Sequence, residues 1–245
     1  IKIATGFYDN PSLGRPSSNG VMVVFSATSG EPVALLKDEG WLTDMRTGIG
    51  GAITTIELAP KNAKNVLLIG TGLQCRFQAD CLSRLSPDIY QYSVWGRSLR
   101  NAKKACEDLS SKGLEIKPAT DLEEGVKKAD IIITTTPSTE HIVRNSWVSA
   151  STHITAIGAD SLGKQELDTD LLHRADLLVS DLNSQSLDHG EFQSIKETRS
   201  ALSPIEIGNI FNKTEGGRIS EESVTIADLT GIAPQDIAIT GTVLL

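Results

Sequence analysis

Two glycines one residue apart, in Ile69-Gly70-Thr71-Gly72-Leu73-Gln74-Cys75, directly follow the apolar run Val66-Leu67-Leu68-Ile69. A helical pattern through Phe77, Ala79, Leu82 and Leu85 comes next. In that strand–turn–helix setting the first glycine permits a tight turn, and the second lets the backbone approach a pyrophosphate at the positive end of a helix. Gly70, Thr71, Gly72, Leu73 and Gln74 are therefore candidate cofactor-binding residues, with a tight βα turn without ligand as the alternative. Cys75 stands where Gly or Ala is usual, yet is small enough for helix–strand packing. Roughly 20 residues on, an Asp or Glu would bond the ribose 2′-hydroxyl of NAD. The chain instead has Trp95-Gly96-Arg97-Ser98. Arg97 offers a planar fork for a 2′-phosphate, Ser98 offers a hydroxyl, and no carboxylate stands by to repel it. That favours NADP(H) over NAD(H), the other reading of Arg97 being a solvated residue at a helix start. Thr135 and Thr136, closing the run from Ile131, complete the cofactor-binding set.

Other chemistries find less support. Gly158-Ala159-Asp160-Ser161-Leu162-Gly163-Lys164-Gln165 mimics the first part of a P-loop, but Gln165 replaces the Mg²⁺-binding Ser or Thr and Asp160 would face phosphates. There is no GxSxG and no HExxH. Cys75, Cys81 and Cys106 form no CxxC, so no metal site is expected; they read as reduced thiols of an intracellular, cytoplasmic protein. A net charge of −8 and only 4% aromatic residues argue against nucleic-acid partners. No apolar run approaches the ~18 residues of a membrane span. The chain opens Ile1-Lys2-Ile3 without a Met, so the true N-terminus is expected to lie upstream.

The elements that must position these residues alternate strand and helix through the middle of the 245 residues. Strands are expected at Val66 to Ile69, Ile89 to Trp95, Glu115 to Pro118, Ile131 to Thr136, His153 to Ile157 and Leu177 to Ser180, with helices between them, one capped by Asp121. This is an α/β pattern, a Rossmann-type doubly wound parallel sheet. The flanks differ. Residues 1 to 36 read as an antiparallel meander with turns at Asn10-Pro11, Asn19-Gly20 and Ser29-Gly30. Thr43 is expected to cap a long helix to Ala59, whose Gly48, Gly50, Gly51 and Ala52 suggest close packing against a backbone or a ligand. Ser223 to Ala227 read as a last strand, followed by a helix. The simplest division puts residues 1–60 plus 219–245 in a smaller α+β domain, with the nucleotide-type domain, 61–218, inserted.

Several segments together resemble the ornithine cyclodeaminase/mu-crystallin family. They are Gly14-Arg15-Pro16-Ser17-Ser18, Leu42-Thr43-Asp44-Met45-Arg46-Thr47-Gly48, Ile69 to Gln74, Thr152 to Asp160, Gly163 to Asp168, His189-Gly190-Glu191 and Ile226 to Gly231. The resemblance implies a Rossmann domain inserted in a substrate-binding and dimerisation domain, hence a homodimer. It also implies a longer chain at both ends, with another substrate-binding Arg upstream. It places Lys2 and Arg46 on substrate-carboxylate positions, Lys2 also in the catalytic set, and Asp160 on the catalytic acid/base. An Arg near a helix start can hold a carboxylate bidentately, and a carboxyl at the C-terminal edge of the sheet can shuttle a proton. Taken singly, Lys2 could be a solvated strand residue, Arg46 a helix-face ion pair and Asp160 a turn cap. The expected substrate is a small amino acid or cyclic imine. The expected reaction is NAD(P)H-dependent reduction of an imine such as Δ1-pyrroline-2-carboxylate, or the reverse amino-acid oxidation. Alternatives are an ornithine cyclodeaminase-type lyase using bound NAD to give proline and ammonia, and a non-catalytic NADPH- or ligand-binding member.

Overall fold

A computed structural model describes residues 1–7, 9–88, 91–197 and 203–245. The chain forms two compact units, Ile1–Thr47 with Ile232–Leu245, and Gly48–Gly231. In the smaller unit, β1 (Lys2–Gly6), β2 (Ser18–Phe25) and β3 (Pro32–Leu36) form an antiparallel sheet. Asn19 and Gly20, expected as a turn, lie inside β2 opposite Thr5 and Ala4. The glycine serves close approach instead, since a Cβ there would meet the Ile3 carbonyl at 3.0 Å. The turn at Ser29-Gly30 stands, with Gly30 at φ +73°. Helix α1 (Trp41–Leu58) begins before Thr43; its first turn is capped from upstream by Asp38, whose carboxylate accepts from Leu42 N at 2.6 Å.

Among the described residues, the larger unit is built on eight strands. These are β4 (Asn65–Ile69), β5 (Gln91–Trp95), β6 (Ile116–Pro118), β7 (Ile131–Thr134), β8 (His153–Ala156), β9 (Leu177–Ser180), β10 (Ile205–Glu206) and β11 (Thr225–Asp228). Their order is β10-β9-β11-β8-β7-β4-β5-β6, and every pairing is parallel. Residues 89 and 90, expected to open the second of these strands, lie outside the described residues. Helices α2 (Leu73–Leu85), α3 (Leu99–Ser110), α4 (Leu122–Lys128), α5 (Thr169–Arg174), α6 (Asn183–His189) and α7 (Ile207–Phe211) join the strands. The final helix, α8 (Ala233–Leu244), belongs to the smaller unit. The strands β7, β8, β9 and β11 are buried along their whole length. That two-sided burial is why β7 and β9 read as mainly apolar runs, while β8 and β11 each carry one buried ionisable residue, His153 and Asp228.

The unit boundaries fall at 47/48 and 231/232, against 60/61 and 218/219 in the division read from sequence. The last strand explains much of the difference: β11 is inserted between β8 and β9, at the heart of the parallel sheet. The small residues of α1 meet α2, where a Cβ on Gly51 would overlap the Gln78 amide at 2.0 Å. A polar thread crosses this core. Thr55 and Thr155 hydroxyls are 2.7 Å apart, and His153 bridges Thr155 (2.9 Å, Nε2) and Thr225 (2.8 Å, Nδ1).

Burial, and secondarily the Arg218 charge, push His153 down to about 3, so its ring is neutral. A histidine whose folded value lies below its unfolded one binds its proton less readily when folded. Its contribution is complete above the ordinary value of 6.5 and is lost as pH falls toward 3. The expected cost is about 1.4 kcal/mol per pH unit across that window. Urea unfolding of His153→Gln between pH 7 and 4 should show a shallower acid slope than the parent, by one proton.

Candidate active site

Parallel pairing brings the carboxyl ends of β4, β5, β7 and β8 to one edge, and the chain reverses direction across the sheet between β4 and β7. That switch point is where ligands bind in doubly wound sheets. The loop after β4 has Gly70 at φ +122°, a region costly to any residue with a Cβ. A Cβ there would also lie 2.4 Å from Thr135 Oγ1. Thr135 in turn donates to the Ile69 carbonyl through its backbone N at 2.8 Å and its hydroxyl at 3.2 Å. Gly72 precedes α2 without any side-chain cap, and a Cβ added to it would meet nothing within 4 Å. Gly72 thus leaves open space at the start of α2, an arrangement that fits a pyrophosphate at a helix N-terminus. Thr71 packs over Gly96, where a Cβ would lie 2.5 Å from its methyl. Arg97 follows, exposed, and Ser98 accepts from Asn101 N at 3.4 Å as the cap of α3.

Two side chains that the sequence reading did not single out hold this edge in shape. Arg76 of α2 donates to the Thr71 and Gly72 carbonyls at 2.7 and 2.9 Å, while its other nitrogens hold Asp108 of α3 at 2.7 and 3.0 Å. Glu166 is fully buried between the ends of β7 and β8. Its carboxylate accepts from Thr134 Oγ1 (2.6 Å), Thr136 N (2.6 Å), Thr136 Oγ1 (2.8 Å) and Gly158 N (2.9 Å). Burial raises the Glu166 carboxyl above its ordinary range, and these donors pull it back. Glu191, buried beside it, accepts from the backbone N–H of Glu166 and Leu167. Burial and then the Glu166 charge raise Glu191 well above the usual value.

Asp160 lies two residues beyond Gly158, half exposed, with Lys164 Nζ at 2.6 Å and Ser161 Oγ at 2.9 Å. Within the P-loop-like segment, Lys164 therefore turns back onto Asp160. Asp228 points into the interior, where Ser186 donates to it; Thr230 and Gly231 instead hold Asp181. Burial pushes Asp228 up to about 7.

The remaining predicted residues meet in the smaller unit. Lys2 Nζ and Arg46 Nε lie 3.1 and 3.0 Å from the same oxygen, Asp236 Oδ1, and Gln235 Oε1 accepts from Arg46 Nη1 at 2.9 Å. Burial, then the Arg46 charge, lower Lys2; Asp236 opposes both. Asp236 carried no sequence signal beyond an acidic residue in a helix first turn. No described group of His, Cys, Asp and Glu could hold a metal ion, and no described helix is long and apolar enough to cross a membrane.

A doubly wound sheet with a glycine loop at its switch point defines a Rossmann-like nucleotide-binding protein. Residues 1–244 match the ornithine cyclodeaminase/mu-crystallin family, and the chain belongs to it. It is 39% identical to an uncharacterised cyclodeaminase of Sinorhizobium fredii, covering 98% of this chain and 73% of that one. Its fold matches an archaeal alanine dehydrogenase dimer with bound NAD at a TM-score of 0.90, with 33% identity over 99% of this chain and 75% of that one. It also matches Δ1-pyrroline-2-carboxylate reductase of Thermococcus litoralis, in complex with NADH and L-proline. There the TM-score is 0.89 and the identity 29%, over 98% of this chain and 75% of that one. The chain is thus an enzyme of the oxidoreductase and cyclodeaminase group.

Glu166→Gln tests the link between the strand ends. The amide can replace only one oxygen, leaving buried donors unpaired at about 1–3 kcal/mol. A lower urea midpoint and faster hydrogen exchange at Gly158 N–H are expected.

Proposed function

We propose that this chain catalyses the nicotinamide-dinucleotide-dependent reduction of a cyclic imine carboxylate of the Δ1-pyrroline-2-carboxylate type, or the reverse oxidation of the amino acid. The observation that carries the reading is the convergence of Lys2 and Arg46 on one anchor, a two-cation receptor for a carboxylate. The glycine loop, the open space at Gly72, Thr135 and Thr136 fit the cofactor, which when bound supplies or takes up the hydride. Asp160 moves the proton at the substrate nitrogen, with the Lys164 ammonium at its carboxylate to hold it in place. A second reading, cyclodeamination of ornithine with loss of ammonia, is supported by the 39% identity to an uncharacterised cyclodeaminase. It uses the same carboxylate receptor.

The exposed Arg97, with no acidic neighbour between Trp95 and Arg100, supports NADP(H) as the preferred cofactor. The partner we infer is a second copy of the chain. Ile3, Phe25, Val33 and Leu35 are all more than 40% exposed, an apolar set on β1 to β3 of the kind that covers a protein interface. The neighbouring alanine dehydrogenase is a dimer. The three cysteines are buried and form no disulfide, with the Cys75 thiol pushed up to about 12 by burial, which fits a reducing compartment such as the cytoplasm.

The test is NADPH oxidation at 340 nm over cyclic imines and 2-oxo acids. Conversion of ornithine to proline and ammonia without net absorbance change would select the lyase reading. In Asp160→Asn, kcat should fall by about 10²–10⁴ with KM little altered. Near-parental kcat would leave Asp160 as a turn cap. Arg97→Asp should lose roughly 1.5–3 kcal/mol of NADPH affinity, one to two decades, while gaining in preference for NADH. Titrations with both nucleotides check this.

A further inference from the structure

Asp236 Oδ1 receives both Lys2 Nζ and Arg46 Nε, which places the two cations within about 6 Å of each other. We infer that Asp236 is a positioning residue that assembles Lys2 and Arg46 into a receptor of one net positive charge, matched to a substrate with a single carboxylate at this end. The inference rests on the reading of Lys2 and Arg46 as the carboxylate-holding pair.

Geometry supports it in three ways. Arg46 is held at two nitrogens, Nε by Asp236 and Nη1 by Gln235, so among the described residues its Nη2 is left for an incoming oxygen. The Lys2 ammonium has three donors, and one of them is committed to Asp236. The three ionic side chains come from separate elements, Lys2 from β1, Arg46 from α1 and Asp236 from α8, so none is placed by the others' backbone. Their charges sum to +1, which one carboxylate neutralises. A second carboxylate at the same end would meet Asp236 instead of a cation.

Charge balance gives the device a signature that simple packing lacks. Among the described residues, the charged groups facing Lys2 are Arg46 from α1 and Asp236 from α8; β2, which pairs with β1, has no acidic or basic residue between Ser18 and Phe25. Burial and Arg46 favour the neutral amine, and Asp236 alone opposes them. Neutralising Asp236 should therefore make Lys2 lose its proton at lower pH, and with it half of the receptor.

Two readouts test this on the intact protein. In competitive trace acylation across pH 6 to 11, read on the Lys2 peptide by mass spectrometry, the Lys2 midpoint should fall in Asp236→Asn and in the smaller neutral variant Asp236→Ser. Asp236→Glu should restore it. The alkaline limb of kcat/KM should move to lower pH in the same two neutral variants, with thermal unfolding used to confirm that they fold. An unmoved labelling midpoint in a folded neutral variant overturns the proposal. If the parent turns over no imine or amino acid, the proposed function fails, while the labelling result still decides the role of Asp236.

Discussion

A fully buried carboxylate survives only where donors replace the water it has lost, and Glu166 is given such donors by two strand ends at once. Thr134 and Thr136 come from the end of β7, and Gly158 from the end of β8. Their mutual placement is what puts Asp160, two residues on, at the edge where Gly70 and Thr135 already meet. The bonds also work in reverse. The backbone N–H groups of Thr136 and Gly158 lie beyond the last ladder pairs of their strands, and without Glu166 they would be unpaired. The acid therefore completes the sheet at the point where the sheet stops, and Glu191 repeats the arrangement one layer back, on the N–H groups of Glu166 and Leu167.

The smaller unit meets a different constraint. Lys2, Arg46 and Asp236 meet there through side-chain charges rather than backbone groups, so what must be controlled is the balance of charge. Lys2 and Arg46 would repel at their separation if nothing stood between them. A shared oxygen turns that repulsion into two attractions. Because all three side chains are largely buried, removing Asp236 would leave two cations uncompensated, so the arrangement sets position and protonation as well as stability.

Most of the parallel sheet was legible because buried strands announce themselves: Val66 to Ile69 and Ile131 to Ile133 have no polar residue to spare. The glycine loop was legible because its backbone requirements restrict residue type. Less visible were the features that depend on distant partners. Asn19-Gly20 has the composition of a hairpin turn, but β1 claims it as a strand and its glycine admits a neighbouring carbonyl. Residues 223 to 227 look like a strand of either unit, and only pairing with β8 and β9 assigns them. Glu166 and Asp236 are ordinary acidic residues locally. Their roles arise from contacts 8 to 32 residues away for Glu166 and 190 for the Asp236–Arg46 pair, which no local pattern encodes.

Cys75 shows why the glycine loop tolerates a departure from its pattern where the cluster of Lys2, Arg46 and Asp236 would not. A phosphate-binding loop of this type acts through N–H groups and open space, so the residue at this position has only to be small and to stay neutral. Cys75 is completely buried, and burial pushes its thiol up to about 12, far from ionising at neutral pH. It therefore behaves as a compact apolar residue at the helix–strand contact, close to Ala in effect. An equally small change at Asp236, to Asn, preserves volume and shape yet removes the one anion between two cations. Backbone arrangements such as the Gly70 loop are specified by size and dihedral freedom, and side-chain clusters such as Lys2, Arg46 and Asp236 by charge.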